Sequence, residues 1–332
     1  MFVKNQPRRD SLIIPDRQDF GVVTLSRDPL LGLNLKAAPT DNYSLSFKPE
    51  LVVWDVDGTL VNSEPTLRRG IFEATESMLS AEWTGFELSA SDQDYISANC
   101  MGVSEEELAK RVRGWMRNLS KQKQLSLGEL DTISNKDFFA KFVASRFQHF
   151  QTEALSGQIE ILPGVIDCIA ALYEQSGAMA INTGSVRSFA TVSIDTVIGG
   201  ELKRMYGLDS REVFPEAARV FSDELPEGLS SKPHPLGYIV AQTRLADLKG
   251  CTTVQNSQLN SVIFGDRPND LIAGLSACAR LYIAVPEKGR LPSFFGGTYA
   301  VEDYLKVHHP ASALANPARI VFLDSLERLE VA

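Results

Sequence analysis

The stretch Leu51-Val52-Val53-Trp54-Asp55-Val56-Asp57-Gly58-Thr59-Leu60 determines how the rest of the chain is interpreted. Four apolar residues lead directly into two aspartates one residue apart, and a glycine follows. A continuous apolar run that ends at a glycine turn predicts a strand buried on both faces, as in parallel sheets. Carboxylates at the end of such a strand are costly to bury unless a cation or hydrogen-bond donors lie beside them. Taken alone, the pair is also compatible with a strand-ending turn that carries two surface acids.

The composition limits the classes of protein and partner. With 332 residues the chain can form one large domain or two smaller ones. Its net charge of -9 argues against a nucleic-acid partner and, more weakly, against an anionic membrane surface. No apolar run approaches the ~20 residues of a membrane span. The four cysteines are widely separated and form no Cys-x-x-Cys pair, which favours reduced thiols and a cytoplasmic protein. The sequence does not indicate an oligomeric state.

Strands and helices alternate in the second half of the chain. We predict strands at residues 178–181, 217–221, 261–264 and 281–285, with helices between them. Together with the strand at 51–54, this alternation predicts an α/β fold with a doubly wound parallel sheet. Residues 287–316 are rich in loop-forming residues, and an apolar element is predicted at 320–329.

Helical patterns without a convincing strand separate the first strand from the others. A helix start at Ser63-Glu64-Pro65, a capping-box pattern at residues 104–107 and a phenylalanine stripe within 136–151 predict three helices. We therefore predict a helical insert at residues 65–159, and a core made of residues 49–64 and 160–332. Residues 1–48 form an N-terminal extension of unknown function, in which the apolar run at 20–25 could be an edge strand.

Polar side chains follow each predicted strand of the sheet. They are Asp55 and Asp57 after the first strand, Thr183 and Ser185 after the second, Lys232 after the third, and Asp266 and Asp270 after the fourth. Because ligands bind beyond the carboxyl ends of parallel strands, we expect these groups to share one site. Carboxylates suit Mg²⁺, and a carboxylate can attack phosphorus while a second one transfers protons. Lysine and hydroxyl groups offset the charge of a transferring phosphoryl group. The set therefore indicates phosphoryl transfer.

The order of these motifs resembles the haloacid-dehalogenase (HAD) superfamily. The motifs are Asp55-Val56-Asp57-Gly58-Thr59, Asn182-Thr183-Gly184-Ser185, Lys232-Pro233 and Gly265-Asp266-Arg267-Pro268-Asn269-Asp270. The chain is most similar to the branch that contains phosphoglycolate phosphatases and β-phosphoglucomutases, over about residues 50–285. This resemblance implies a Rossmann-like core with an α-helical cap inserted between the first and second motifs.

The resemblance also implies a role for each acidic residue. Asp55 would be the nucleophile and a metal ligand, and Asp57 would be the general acid and base. The backbone carbonyl of Asp57 would also bind the metal, which the resemblance identifies as Mg²⁺. Asp266 would be a direct metal ligand, whereas Asp270 would orient the metal or a bound water. Asp270 is also compatible with a carboxylate that stabilises a helix N-terminus.

The same resemblance assigns the groups around the phosphate. Thr183, Gly184 and Gly58 would hold the phosphoryl oxygens, and Lys232 would neutralise charge on the nucleophile and the phosphoryl group. Candidate substrate residues are Arg68, Arg267 and Gly102, the last in a turn before a cap helix. Each arginine is also compatible with a plain surface role, as are three others on a cap helix: Arg111, Arg113 and Arg117.

The predicted function is a Mg²⁺-dependent phosphatase that hydrolyses a small-molecule phosphate monoester through an aspartyl-phosphate intermediate. Dehalogenation is disfavoured because its members lack an acid/base residue at the position of Asp57. Two alternatives remain: a sugar phosphomutase of the same family, and a non-catalytic binding or regulatory protein that retains the core.

Overall fold

The computed structural model describes residues 21–28, 32–39, 43–45, 47–100, 105–226, 229, 232–251, 260–277, 279–285, 318–323 and 325–331. Its strands are β1 (Gly21–Asp28), β2 (Gly32–Pro39), β3 (Tyr43–Leu45), β4 (Leu51–Trp54), β5 (Val61–Asn62), β6 (Glu160–Ile161), β7 (Ala180–Asn182), β8 (Arg219–Val220), β9 (Ser261–Gly265), β10 (Leu281–Ala284), β11 (Ala318–Phe322) and β12 (Leu329–Val331). Its α-helices are α1 (Glu64–Ser80), α2 (Ala90–Cys100), α3 (Glu105–Lys123), α4 (Glu129–Thr132), α5 (Asn135–Leu155), α6 (Val165–Ser176), α7 (Arg187–Thr191), α8 (Gly199–Tyr206), α9 (Ser210–Val213), α10 (Leu236–Leu248) and α11 (Pro268–Ser276). A π-helical segment, Val192–Ile198, joins α7 to α8. Every helix in these ranges is too short or too polar to cross a membrane.

The central sheet has eight strands in the order β2-β1-β11-β10-β9-β4-β7-β8. The strands from β11 to β8 run parallel, whereas β1 is antiparallel to both β11 and β2. The prediction of an α/β fold with a doubly wound parallel sheet is confirmed. The strand that precedes Asp55, β4, lies between β9 and β7, so its carboxyl end is central in the sheet.

Hydrophobic layers cover both faces of the sheet at β4. Val52 and Trp54 belong to one hydrophobic cluster, whereas Leu51 and Val53 belong to another. This division follows from the alternation of side chains along a strand, and it requires apolar residues at every position. Trp54 is fully buried and stacks on Phe264 of β9 with 3.7 Å between ring centroids. The apolar run of β4 is thus explained by two-sided burial.

A helical cap is inserted between β5 and β6. These two short strands pair with each other, with Val61 opposite Ile161, so the two connections to the cap run side by side. Helices α1, α2, α3, α4 and α5 lie between them, and their apolar faces form a separate hydrophobic cluster that includes Val112, Met116 and Phe142. The cap has its own core because its helices bury their apolar faces mainly against each other.

The phenylalanine stripe of α5 connects the cap with the core. Phe138 and Phe142 are buried in the cap cluster, whereas Phe150 is buried in the core cluster. Phe147 and Phe150 both make edge contacts with Phe189 of α7, at 5.6 and 5.2 Å between ring centroids. The stripe is therefore core, as its helical spacing predicts, but it serves two different cores.

Several elements differ from the sequence predictions. The predicted edge strand at 20–25 is β1, but it is not at the edge because β2 pairs along its whole length outside it. The single apolar element predicted at 320–329 is divided into β11, a 3-10 turn and β12. Helix α2 was not predicted, since only Ile96 and Cys100 are buried on it. Residues 287–316 lie outside the described ranges.

Candidate active site

Three neighbouring parallel strands end at one edge of the sheet, which we call the carboxyl edge. Asp55 directly follows β4, Thr183 directly follows β7, and Asp266 directly follows β9. The sheet fixes their backbone, because the Asp55 N–H donates to the Phe264 carbonyl at 3.0 Å and the Thr183 N–H donates to the Val220 carbonyl at 3.1 Å. The predicted convergence of strand-end residues at this edge is thus observed.

Three aspartates form a carboxylate cluster at this edge: Asp55, Asp266 and Asp270. All three are buried, and one carboxylate oxygen from each lies within 4.8 Å of the others. Two glycines permit this approach. A Cβ at Gly58, whose φ is 86°, would overlap the Asp266 carboxylate, and a Cβ at Gly265 would overlap the side chain of Asp270. Both backbone positions must therefore lack a side chain for the cluster to form.

Of the lysines that the structure describes, Lys232 alone lies among these carboxylates. Lys232 Nζ is 2.5 Å from Asp55 Oδ1 and 2.5 Å from Asp270 Oδ1. The Tyr238 hydroxyl donates a further hydrogen bond to Asp270 Oδ1 at 3.1 Å. Burial works against the ammonium form, but the two carboxylates raise the pKa of Lys232 above its ordinary value. The lysine is thus charged and contacts two of the three aspartates.

The cluster carries more negative charge than the lysine can balance. Burial raises the pKa of Asp55 to about 7, although Lys232 acts in the opposite direction. Burial, together with the neighbouring Asp270 and Asp55, also raises the pKa of Asp266 well above its ordinary value. Three buried oxygen donors with unbalanced charge fit a small divalent cation, and hard oxygen ligands favour Mg²⁺ over softer metals.

Asp57 is held apart from the cluster by hydroxyl groups. Ser63 Oγ donates to Asp57 Oδ1 at 2.5 Å, and Ser185 Oγ donates to Asp57 Oδ2 at 2.5 Å. Thr183 Oγ1 is also 3.4 Å from Asp57 Oδ2. The carboxylate is only partly buried and lies at the start of the turn that leads to β5. Its environment is therefore different from that of Asp55, two residues earlier.

Sequence reasoning assigned no role to four residues whose hydroxyl groups contact the aspartates: Tyr238, described above, and three that lie in or beside the motifs. Two of them, Ser63 and Ser185, orient Asp57 as described above. The third is Thr59, whose Oγ1 lies 3.3 Å from Asp55 Oδ2 and 3.4 Å from Asp266 Oδ1. All three lie within or next to the sequence motifs, so proximity in sequence was the available signal. The directions in which their hydroxyl groups point depend on turn geometry, which the residue pattern does not specify.

The remaining predicted residues are placed as follows. Gly184 is exposed beside Thr183, whose Oγ1 accepts a hydrogen bond from the Ser185 N–H at 3.1 Å. Arg68 and Arg267 are exposed, and both lie near Glu64. Gly102 lies outside the described residues.

The three cap-helix arginines of α3 are bound within the cap. Arg113 is buried and donates to the carbonyls of Leu130 and Ile133. Arg111 and Arg117 each pair with an acidic residue of the cap. Arg111 and Arg117 thus have the surface role that the sequence left open, whereas Arg113 has a structural role inside the cap.

The sequence comparison gives the class to which this fold and site belong. The model of the haloacid dehalogenase-like hydrolase family matches residues 49–277, a segment that contains every aspartate of the site. The chain belongs to this hydrolase family. A comparison with curated proteins found no significant match.

Solved structures with a similar fold include three bacterial proteins. CbbY from Rhodobacter sphaeroides, in complex with phosphate, is 20% identical, with 84% of this chain and 95% of that chain covered and a TM-score of 0.49. A predicted phosphoglycolate phosphatase from Haemophilus somnus is 20% identical, with 72% and 86% covered and a TM-score of 0.47. A putative β-phosphoglucomutase from Thermotoga maritima is 18% identical, with 78% and 97% covered and a TM-score of 0.49. At these identities the similarities concern the fold alone.

Proposed function

We propose that this protein is a Mg²⁺-dependent phosphatase that hydrolyses small-molecule phosphate monoesters through an aspartyl-phosphate on Asp55. One observation carries the proposal: a buried carboxylate cluster with a single lysine lies beside a separately held aspartate, Asp57. Membership of a hydrolase family is consistent with this reaction. The cap, which we assign to residues 65–159, would enclose the substrate over the carboxyl edge.

The chain offers a set of ligands for Mg²⁺. Asp55 and Asp266 would bind it directly, together with the backbone carbonyl of Asp57. Asp270, whose Oδ1 already accepts hydrogen bonds from Lys232 and Tyr238, would orient the metal or a bound water. When bound, Mg²⁺ would supply positive charge that offsets the phosphoryl oxygens and the cluster itself.

In the first step Asp55 attacks the phosphorus atom of the ester. An Asp55 Oδ–P bond forms while the bond between phosphorus and the ester oxygen breaks, and Asp57 gives its proton to the departing alkoxide. Lys232 opposes the effect of burial on the pKa of Asp55 and, with the Thr183 hydroxyl and the Gly184 N–H, offsets charge on the phosphoryl oxygens. The Gly58 N–H donates to the Val61 carbonyl at 2.8 Å within the turn.

In the second step a water molecule hydrolyses the aspartyl-phosphate. Asp57, now ionised, takes a proton from the water as its oxygen bonds to phosphorus, and the Asp55 Oδ–P bond breaks. Inorganic phosphate leaves, and both aspartates return to their starting protonation states. The hydroxyls of Ser63 and Ser185 hold the two Asp57 oxygens, so that one carboxylate can serve both steps.

The test is phosphate release from a panel of phosphate monoesters, measured with Mg²⁺ and with a chelator. We expect hydrolysis that the chelator abolishes, and an Asp55→Asn variant at least about 10³-fold slower. Asp247→Asn, which removes the same charge from an exposed position on α10, is the matched control and should keep the wild-type rate. If no ester is hydrolysed with any divalent cation, or if Asp55→Asn retains the wild-type rate, the proposal is wrong.

A further inference from the structure

A glutamate lies between two arginines next to the proposed active site. Arg68 Nη2 is 3.0 Å from Glu64 Oε1, and Arg267 Nη2 is 3.6 Å from Glu64 Oε2. Each oxygen of the Glu64 carboxylate therefore faces a different guanidinium group. We call these three residues the Glu64 cluster.

The backbone places the Glu64 cluster beside the reacting groups. Glu64 directly follows Ser63, which donates to Asp57. Arg267 directly follows Asp266, and its Nε is 3.5 Å from Asp266 Oδ2. The Arg267 carbonyl accepts hydrogen bonds from the N–H groups of Asp270 and Leu271 at 3.0 and 3.2 Å, which fix its backbone at the start of α11. The guanidinium thus extends from a rigid base at the edge of the site.

The Arg267 guanidinium retains capacity to bind an anion. Among the described residues it makes ion pairs at 3.5 and 3.6 Å but no hydrogen bond, and its side chain is 49% exposed. By contrast Arg69, one residue after Arg68 on α1, makes hydrogen bonds to both carboxylate oxygens of Glu153. A guanidinium has five N–H donors in a planar fork that matches a carboxylate or a phosphate. The N–H donors of Arg267 could therefore form hydrogen bonds with an anionic group that lies closer than the carboxylates of Glu64 and Asp266.

We propose that Arg267 and Arg68 bind a second anionic group of the substrate, which takes the place of the Glu64 carboxylate. This inference rests on the proposed function and narrows the substrate class to phosphate monoesters that carry another negative charge. Glu64 occupies the space between the arginines before the substrate binds, and its side chain, 33% exposed, then turns towards solvent. The substrate anion has to compete with Glu64, so removing the Glu64 charge strengthens binding, whereas removing the Arg267 charge weakens it.

The test uses two esters of matched shape: the phosphate esters of 3-hydroxypropanoate and of 3-hydroxypropanamide. The first carries a carboxylate where the second carries a neutral amide. We expect the wild-type protein to favour the charged ester about tenfold in kcat/KM. Arg267→Gln should lower this ratio to about one, and Glu64→Gln should raise it about threefold. Arg69→Gln, the neighbouring arginine that is paired with Glu153, is the control and should leave the ratio unchanged.

A second measurement compares the two esters without turnover. The Kd of each ester for the Asp55→Asn protein is measured by calorimetry in the presence of Mg²⁺. If neither ester is hydrolysed, the proposed phosphatase function is wrong, while the ratio of Kd values still decides the inference. A wild-type ratio near one in both measurements overturns it. So does a uniform loss for both esters in Arg267→Gln, because that is the behaviour of a residue with only a structural role.

Discussion

Two groups of charged side chains in the core show opposite behaviour. Arg219 is fully buried and donates through Nη1 and Nη2 to the two oxygens of Asp195, at 3.1 and 2.8 Å, and through Nε to the Phe214 carbonyl at 2.8 Å. Burial opposes ionisation of Asp195, but hydrogen bonds from Arg219 and Ser210 outweigh it and lower its pKa. In the carboxylate cluster, by contrast, the pKa of both Asp55 and Asp266 is raised.

The difference lies in burial and in charge balance together, because Asp55 and Asp266 are buried beside further acids, whereas Asp195 is half-buried beside a guanidinium group. The Asp195–Arg219 pair joins a carboxylate to a guanidinium group through two hydrogen bonds, and Arg219 Nη1 also lies 3.4 Å from Glu216 Oε2. The carboxylate cluster places three acids around Lys232 and, 3.5 Å from Asp266, the guanidinium of Arg267, so the acids outnumber the cations among the described residues. Structural ion pairs stabilise a fold by being complete, whereas an active site keeps charge available for a ligand. The predictions below follow from this contrast.

The largest expected effect is on catalysis at Lys232. Lys232→Met removes the only ammonium that contacts Asp55 among the described residues, so the phosphoryl charge is less well offset. We expect kcat for phosphate release to fall about 10²- to 10³-fold. Lys249→Met is the control, because Lys249 Nζ donates to the carbonyls of Glu50 and Ser176. This substitution should change the stability of the protein and leave kcat unchanged. A Lys232→Met variant within about fivefold of the wild-type rate would contradict the assignment.

The next largest effect is on stability at Arg219. Arg219→Met removes the cation and two of the hydrogen bonds of Asp195, which keeps only the one from Ser210 among the described residues, and it removes the side-chain donor to the Phe214 carbonyl. We expect the free energy of unfolding, measured by urea denaturation, to fall by about 3 kcal/mol, while the folded fraction keeps its rate. If the free energy of unfolding falls by less than about 1 kcal/mol, the Asp195–Arg219 pair contributes no more than a solvent-exposed ion pair does.

Neutralising one aspartate in each group should change stability in opposite directions. In the metal-free protein Asp266→Asn relieves repulsion, so we expect the free energy of unfolding to rise by about 1 kcal/mol. Asp195→Asn should instead lower it by about 1 to 2 kcal/mol, because it weakens the hydrogen bonds with Arg219. Added Mg²⁺ should stabilise the wild-type protein and have little effect on Asp266→Asn. If both variants are destabilised, the charge imbalance at the carboxylate cluster is not a source of strain.

The smallest effect concerns the pH dependence of the Asp195–Arg219 pair. The pKa of Asp195 is lower in the folded protein than its ordinary value of 3.8, so the unfolded chain binds more protons between the two values. The stabilisation is present above pH 3.8 and is lost as the pH falls through the folded pKa. The difference in unfolding free energy between wild type and Arg219→Met should therefore shrink in that acid range. A difference that is constant with pH would show that Arg219 acts through packing alone.

Much of the core was predictable from sequence because it depends on short-range patterns. The apolar run of β4 requires two-sided burial, and parallel pairing then brings Asp55, Thr183 and Asp266 to one edge. Helix α2 was missed because its buried positions are too few to give a periodic signal. The inner position of β1 depends on pairing with β2, which no local pattern specifies.

The directions in which the side chains of the site point could not be predicted from the sequence. The hydrogen bonds of Ser63 and Ser185 to Asp57 depend on how two turns face each other across the carboxyl edge. Likewise, Arg219 and Asp195 are 24 positions apart and meet through the packing of β8 against the π-helical segment. The sequence motifs indicate the chemistry of Asp57. The contacts that orient its side chain depend on the three-dimensional structure.

The most direct test of the account is a single-turnover measurement with an Asp57→Asn variant, Mg²⁺ and 4-nitrophenyl phosphate. This ester has a leaving group that needs no proton, so the first step should proceed while water activation fails. We predict a burst of 4-nitrophenolate equal to one equivalent of protein, and acid-quenched digestion should locate the phosphoryl group on Asp55. Release without a burst, or a phosphoryl group on any other residue, would contradict the claim that Asp55 is the nucleophile of this cluster.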